Sequence, residues 1–195
     1  MAFERPEEPG IDPEAAAREA LSRGDVRGAL GELVAAYKDP LFGFCRSMTR
    51  DAAMAEDVLQ TTFVQAFRDL PKWQPRGTLR AWLYAIARNR CLDALKAERR
   101  RRARFSVLDG EAGEDPEPSA ERRLADSEVA RALDRCLGEL APHVRTAVLL
   151  RYQEGFSYKD MAEVCRERPA TLQARVSRAL PVLRECVERR AGGEL

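Results

Sequence analysis

The sequence predicts an all-α protein of two small helical domains joined by a flexible acidic linker. Apolar residues recur at three- and four-residue spacing along most of the chain, and strand-like alternation is nearly absent. A stretch rich in Gly, Pro and acidic residues interrupts that pattern and cannot build a core. A length of 195 residues suits two small helical units.

Taken in order, residues 1–25 read as an N-terminal extension with one short helix, starting where Asp12 and Pro13 supply an N-cap and a first-turn proline. The first domain spans 26–103. Leu30, Leu33, Val34 and Tyr37 form one apolar stripe, and Leu41, Phe42 and Cys45 follow beyond Pro40. Between Asp51 and Leu70, Leu59, Phe63, Ala66, Phe67 and Leu70 share a core face, with Asp57, Gln60, Thr61 and Gln65 mostly elsewhere. Pro71 ends that helix and Trp73–Gly77 is a loop. A long helix from Thr78 then carries Leu83, Ala87, Cys91 and Leu95 in an i, i+4 row.

The linker, 104–127, holds Gly110, Gly113, Pro116, Pro118 and an acidic cluster. The second domain, 128–190, opens with Val129, Leu133, Cys136, Leu137 and Leu140 at helical spacing. A helix from Pro142 to about Tyr152 and a turn at Gly155-Phe156 lead to Ser157 and Asp160, an approximate capping box. The last helix begins near Pro169 with Leu172, Val176, Leu180, Leu183 and Val187 on one face. Residues 191–195 are expected to be a disordered tail.

Net charge is only +1, but it conceals a separation. Lys96, Arg99, Arg100, Arg101, Arg102 and Arg104 form a basic run, followed by an acidic stretch from Asp109 to Glu121. Such asymmetry points to two surfaces with different partners. The five cysteines are far apart, without a C-x-x-C pair, and read as reduced residues in helix cores. His143 is the single histidine, so no metal site and no cofactor is expected. The N-terminus does not resemble a signal peptide and no apolar run approaches ~18 residues, so the expected location is cytoplasmic, without membrane insertion.

Two constellations carry chemistry. The C-terminal half has the outline of a helix-turn-helix whose free face offers Thr171, Gln173, Arg175 and Arg178. Arg and Gln are the side chains that read guanine and adenine edges bidentately. An ordinary helical hairpin with a solvated charged face has the same pattern. In the first half, Phe67, Trp73, Trp82 and Tyr84 interleave with Arg76, Arg80, Arg88, Arg90 and Lys96. Aromatic faces beside basic groups suit single-stranded DNA, which presents unstacked bases and phosphates. A tryptophan pair in a core with snorkelling bases is the alternative.

The stretch AEDVLQTTFVQAFRDLPKW, followed by TLRAWLYAIARNRCLDALKAERR, resembles region 2 of the extracytoplasmic-function sigma factors of bacterial RNA polymerase. The stretch LGELAPHVRTAVLLRYQEGFSYKDMAEV, with TLQARVSRAL, resembles their region 4. The resemblance covers roughly 26–102 and 129–187, and no separate region 3 is present between them. It implies that Asp57, Gln60, Thr61 and Gln65 dock on the clamp helices of the polymerase largest subunit, with Thr61 standing where an acidic residue is usual. It implies that the loop around Trp73, Arg76 and Thr78 captures a flipped −10 base. Arg80, Trp82, Arg88, Asn89, Asp93 and Lys96 then lie along the −10 strand. Arg168, Thr171, Gln173, Arg175 and Arg178 fall on the −35 helix. Further implied are a contact with the flap of the second polymerase subunit, an anti-sigma partner, a monomeric free state, a linker threading the active-centre cleft and RNA exit path, and no catalytic residue.

Region 4 departs from the family where the usual leucine-glycine-isoleucine-serine turn reads Cys165-Arg166-Glu167-Arg168. Arg166 is expected to be uncomfortable at φ > 0, Glu167 to forfeit a core contact, and Pro181 to kink the last helix or end its groove-reading part. Two other readings compete. A stand-alone duplex-binding regulator has no use for the tryptophan-rich basic segment. An enzyme needs a nucleophile–base pair, and none suggests itself.

Overall fold

A computed structural model describes residues 13–75, 77–109 and 128–191. Eight α-helices and one 3-10 turn, without a strand, make up the secondary structure of these residues. The helices are α1 (Pro13–Ser22), α2 (Val26–Thr49), α3 (Ala52–Asp69), α4 (Leu79–Asp109), α5 (Glu128–Glu139), α6 (Pro142–Tyr152), α7 (Tyr158–Cys165) and α8 (Pro169–Arg190). The 3-10 turn Leu70–Lys72 lies between α3 and α4. Residues 1–12, 110–127 and 192–195, with most of the anticipated linker and tail, lie outside the described residues.

Local signals set the helix starts. The Asp25 carboxylate accepts from Gly28 N–H (2.8 Å) and the Asp51 carboxylate from Met54 N–H (2.8 Å). Ser157 Oγ accepts from Asp160 N–H (3.2 Å), as the capping-box pattern indicates. Each such cap contributes about 1 kcal/mol.

Two helices contain an internal proline. Helix α2 continues past Pro40, and α8 continues past Pro181 to Arg190. A proline deletes one intrahelical hydrogen bond, a cost of about 3 kcal/mol in an isolated helix. In α8 both Pro181 and Ser177, one turn earlier, are exposed, so the unpaired carbonyl faces water, while Leu183, Cys186 and Val187 bury the helix beyond the proline. In α2 the buried Leu41, Phe44, Cys45 and Met48 do the same for the segment after Pro40. Helix α4 also continues to Asp109, so residues 104–109, read as linker, are helical.

The two helical halves share a core. Leu41, Phe44 and Met48 of α2, Val58 of α3 and Leu83, Tyr84 and Ala87 of α4 pack in one cluster with Leu149, Leu150, Phe156, Met161 and Leu172 of the second half. Tyr84 sits at the seam, edge-on to Phe44 (5.4 Å between ring centres) and to Phe156 (5.0 Å). Arg145 pins the same seam. Its guanidinium donates to Leu137 O (2.8 Å), Gly138 O (2.5 Å) and Leu140 O (3.3 Å) at the end of α5, and to Met48 O (2.7 Å) of α2.

Two smaller clusters complete the packing. One seats α1 against α2, the 3-10 turn and the start of α4 through Ala17, Ala20, Leu33, Leu70 and Leu79. The other holds α5 on α6 and α8 through Ala132, Cys136, Val148, Leu183 and Cys186. Here the expectation of five reduced cysteines fails. Cys136 and Cys186 form a disulfide between α5 and α8, whereas Cys45, Cys91 and Cys165 are free and buried. Spacing along the chain carried no signal of this pair, because a separation of 50 residues becomes a contact only when α5 lies along α8. No helix among the described residues is long and apolar enough to cross a membrane.

Candidate nucleic-acid and polymerase interfaces

The segment between the 3-10 turn and α4 builds a cavity of about 500 Å³. Trp73, Gln74, Gly77, Thr78 and Trp82 line it from the first half, and Glu163 and Arg166 from α7 and its C-cap. Trp73 and Trp82 are half-buried, with one side against the α1 cluster, so the core and stacking readings of this pair both hold in part. Thr78 caps α4, its Oγ1 accepting from Ala81 N–H (3.0 Å). Gly77 lies close to the Glu163 carboxylate, which a Cβ at that position would displace. Sequence reasoning missed Glu163, because nothing local links α7 to this loop. Arg76 lies outside the described residues.

Along α4, Asn89, Asp93 and Lys96 form an exposed stripe running away from the cavity. Arg80 and Arg88 do not share it. Arg80 donates to the Glu154 carbonyl and lies over the Phe156 ring at 4.2 Å, covered by the α6–α7 turn. Arg88 donates to Asn89 Oδ1 (3.0 Å) and sits beside Cys165 of α7. Burial raises the Cys165 thiol pKa, and the Arg88 charge opposes that rise. Tyr84 is fully buried and donates to the Glu154 carboxylate, so it offers no stacking face. Its hydroxyl is held protonated first by burial and then by the Glu154 charge.

On α3, Asp57, Gln60 and Thr61 form one exposed face, joined by Val64 and by Phe67, which is 42% exposed and not in the core as its spacing suggested. Thr61 Oγ1 donates back to the carbonyl of Asp57 (2.9 Å), so its hydroxyl is partly engaged within the helix. Gln65 is turned away, accepting from Arg90 Nε (2.8 Å) and donating to Asp69 (3.2 Å); it ties α3 to α4.

The second half presents two surfaces. Arg168, Thr171, Gln173 and Arg178 are exposed at the start of α8 and on its outer face. Arg175 is engaged with Glu167, Nη1 to Oε1 at 2.8 Å as one arm of a bidentate pair. That pair lowers the Glu167 carboxyl pKa, the Arg175 hydrogen bond being the main cause. The departure from the family turn thus has a physical account. Glu167 exchanges an apolar contact for an ion pair, and Arg166 adopts the left-handed conformation (φ 55°, ψ 42°) that the turn requires despite its side chain. On another side of this half, Leu133 of α5, Tyr152 of α6 and Leu180 of α8 rim an apolar groove of about 570 Å³ floored by Val148, Leu183 and Val187. The sequence placed Leu133 and Leu180 in the core; they are 42% and 38% exposed.

The α7–α8 helix-turn-helix thus lies beside the tryptophan-lined loop and the start of α4. The family description "Sigma-70 region 2" matches residues 33–101, and "Sigma-70, region 4" matches 130–180. RNA polymerase sigma-H factor of Pseudomonas aeruginosa is 32% identical over 83% of this chain and 86% of its own length. RNA polymerase sigma factor CarQ of Myxococcus xanthus is 32% identical over 84% and 91%. Among solved structures, sigma factor RpoE in complex with the anti-sigma factor NepR, from Bartonella quintana, superposes with a TM-score of 0.64 at 27% identity, over 81% of this chain and 96% of that one. CnrH in complex with the cytosolic domain of CnrY gives 0.69 at 25% identity, over 91% and 99%. The chain belongs to the sigma-70 family of RNA polymerase sigma factors, in its extracytoplasmic-function group. Its function is promoter-specific initiation of transcription.

Proposed function

We propose that region 2 captures and holds the −10 strand while region 4 reads the −35 element, the protein contributing binding energy and strand capture but no catalytic group. The observation that carries this reading is the cavity flanked by Trp73 and Trp82, continued by the exposed stripe Asn89, Asp93 and Lys96. An extruded base costs a few kcal/mol, and stacking between aromatic side chains offsets it. Thr171, Gln173 and Arg178 supply the major-groove contacts, with Arg168 at the helix start on phosphate. Arg175 joins them when Glu167 releases it.

The face Asp57, Gln60, Thr61, Val64 and Phe67 is the docking surface for the clamp helices of the largest polymerase subunit. The apolar groove of region 4 accepts an amphipathic helix, in the manner of helix-in-groove recognition. Its candidate occupants are the flap of the second polymerase subunit and an anti-sigma factor, the latter supported by the solved relative bound to NepR. In the described arrangement the α6–α7 turn covers Arg80, so strand capture through Arg80 requires that turn to lift. The protein acts in the cytoplasm as a monomer until it meets polymerase, and serves a stress or envelope-response regulon.

The test is transcription of a fragmented genomic library by bacterial core polymerase, with and without the purified protein. Discrete protein-dependent transcripts sharing two spaced sequence elements are expected. Tight binding to core polymerase without transcripts would exclude promoter recognition. Loss of both would leave a duplex-binding regulator as the surviving reading.

A further inference from the structure

We propose that Glu14, in the N-terminal extension, is a positioning residue for −10 recognition. The inference rests on the assignment of the tryptophan-lined cavity to the −10 strand and extends it to a helix outside the matched family regions.

The first turn of a helix leaves its N–H groups without intrahelical partners. At the start of α4, Thr78 Oγ1 takes the Ala81 N–H (3.0 Å). The other two N–H groups of that turn are taken from α1: Glu14 Oε2 accepts from Leu79 N–H (3.0 Å) and Oε1 from Arg80 N–H (3.1 Å). Both carboxylate oxygens are thus spent on one helix start, 65 and 66 residues away in sequence. A negative charge there also meets the positive end of the α4 dipole. Glu14 is buried, and Arg18, one turn along α1, holds its Oε2 at 2.6 Å.

Packing aims this carboxylate. Ala17 and Ala20 are small enough to bring α1 down onto Leu33, Leu70 and Leu79. Gly24, at φ 75°, makes the turn that returns the chain into α2. Trp73 and Trp82 pack against the same cluster, so α1 supports both aromatic walls of the cavity as well as the first turn of α4. Moving that turn would shift Thr78, Arg80 and Trp82 together. A side chain of the extension therefore sets the geometry of a cavity that it does not line.

The test uses the full chain assembled with core polymerase and a pool of single-stranded DNA carrying six randomised positions between fixed flanks. Wild type, Glu14→Ala and Glu14→Gln are compared for the strands they enrich, for affinity to the winning strand, and for affinity to core polymerase. Amide hydrogen exchange at Leu79 and Arg80 is followed in the free protein. For Glu14→Ala, exchange at both amides is expected to accelerate and strand affinity to fall on the order of tenfold, with core affinity unchanged. Glu14→Gln, which keeps the size and one acceptor oxygen, is expected to fall between and serves if the alanine variant fails to fold. Unchanged strand affinity despite lost amide protection overturns the proposal, as does an equal loss of core affinity. A wild-type protein that enriches no strand overturns the −10 assignment and the proposal with it. Slow wild-type exchange at Leu79 and Arg80 would then show that the cap exists without that role, which separates the two failures.

Discussion

Replacing Arg145 by methionine should uncouple the two halves of the protein. The side chain is buried, and its guanidinium serves carbonyls on α2 and at the end of α5. Methionine fills much of the volume but donates nothing. A hydrogen bond from a charged donor contributes about 1.5–3 kcal/mol net. Leu137, Gly138 and Leu140 are partly exposed, so their carbonyls can regain water and their loss is discounted. The buried bond to Met48 O (2.7 Å) then sets the cost at about 1.5–3 kcal/mol. With a urea slope of about 2 kcal/mol per molar, the midpoint should fall by about 0.8–1.5 M. Trp73 and Trp82 lie in the first half, with Glu163 and Arg166 of the second beside them, so their fluorescence follows the first half and its seam, whereas far-ultraviolet circular dichroism follows all helices. Coincident transitions are expected for the wild type and separated ones for Arg145→Met. Arg145→Lys, which keeps the charge but not the fork, should lie between. A midpoint within about 0.5 M of wild type, with transitions still coincident, would refute the staple.

Glu167→Gln should act twice. Because Arg175 lowers the folded-state pKa of Glu167, the pair stabilises the protein above the usual carboxylate value and is lost as pH falls through the lowered one; melting temperatures taken from pH 6 to 3 should therefore drop less steeply in the variant. The released Arg175 should also raise affinity for duplex DNA a few-fold in fluorescence anisotropy, and weaker binding would contradict its assignment to the groove-reading face. Reducing the Cys136–Cys186 disulfide, which spans 50 residues, should cost about 4 kcal/mol by the loop-entropy relation; thiol titration in denaturant should count three free thiols before reductant and five after, and five before would disprove the bond. Arg166→Gly should raise stability by about 0.5–1 kcal/mol, since the left-handed position is costly for a side chain and free for glycine; a lower melting temperature would refute this.

Much of the architecture was legible before any coordinates. Helical periodicity and end signals such as Ser157 and Gly155 are local, acting within one or two turns, so the chain displays them directly. The exposed faces of α3 and α8 were legible for the same reason, since polar residues at helical spacing mark the side away from the core. Local rules alone do not carry a helix past Pro40 or Pro181; there, packing beyond each proline outweighs a lost hydrogen bond. They misplaced Phe67, Leu133 and Leu180, because apolar spacing alone does not distinguish a core stripe from a docking surface.

Other features arise only where distant segments meet. The shared core at Tyr84, the covering of Arg80 by the Glu154–Phe156 turn, the Glu14 cap on α4 and the disulfide each join residues at least 50 positions apart. Sequence encodes such contacts through the shape of every surface between them, so no single stretch announces them. The chain's periodicity and motifs settled the helices and the family; tertiary packing decided which of the candidate DNA-facing residues are exposed and which are held by the other half.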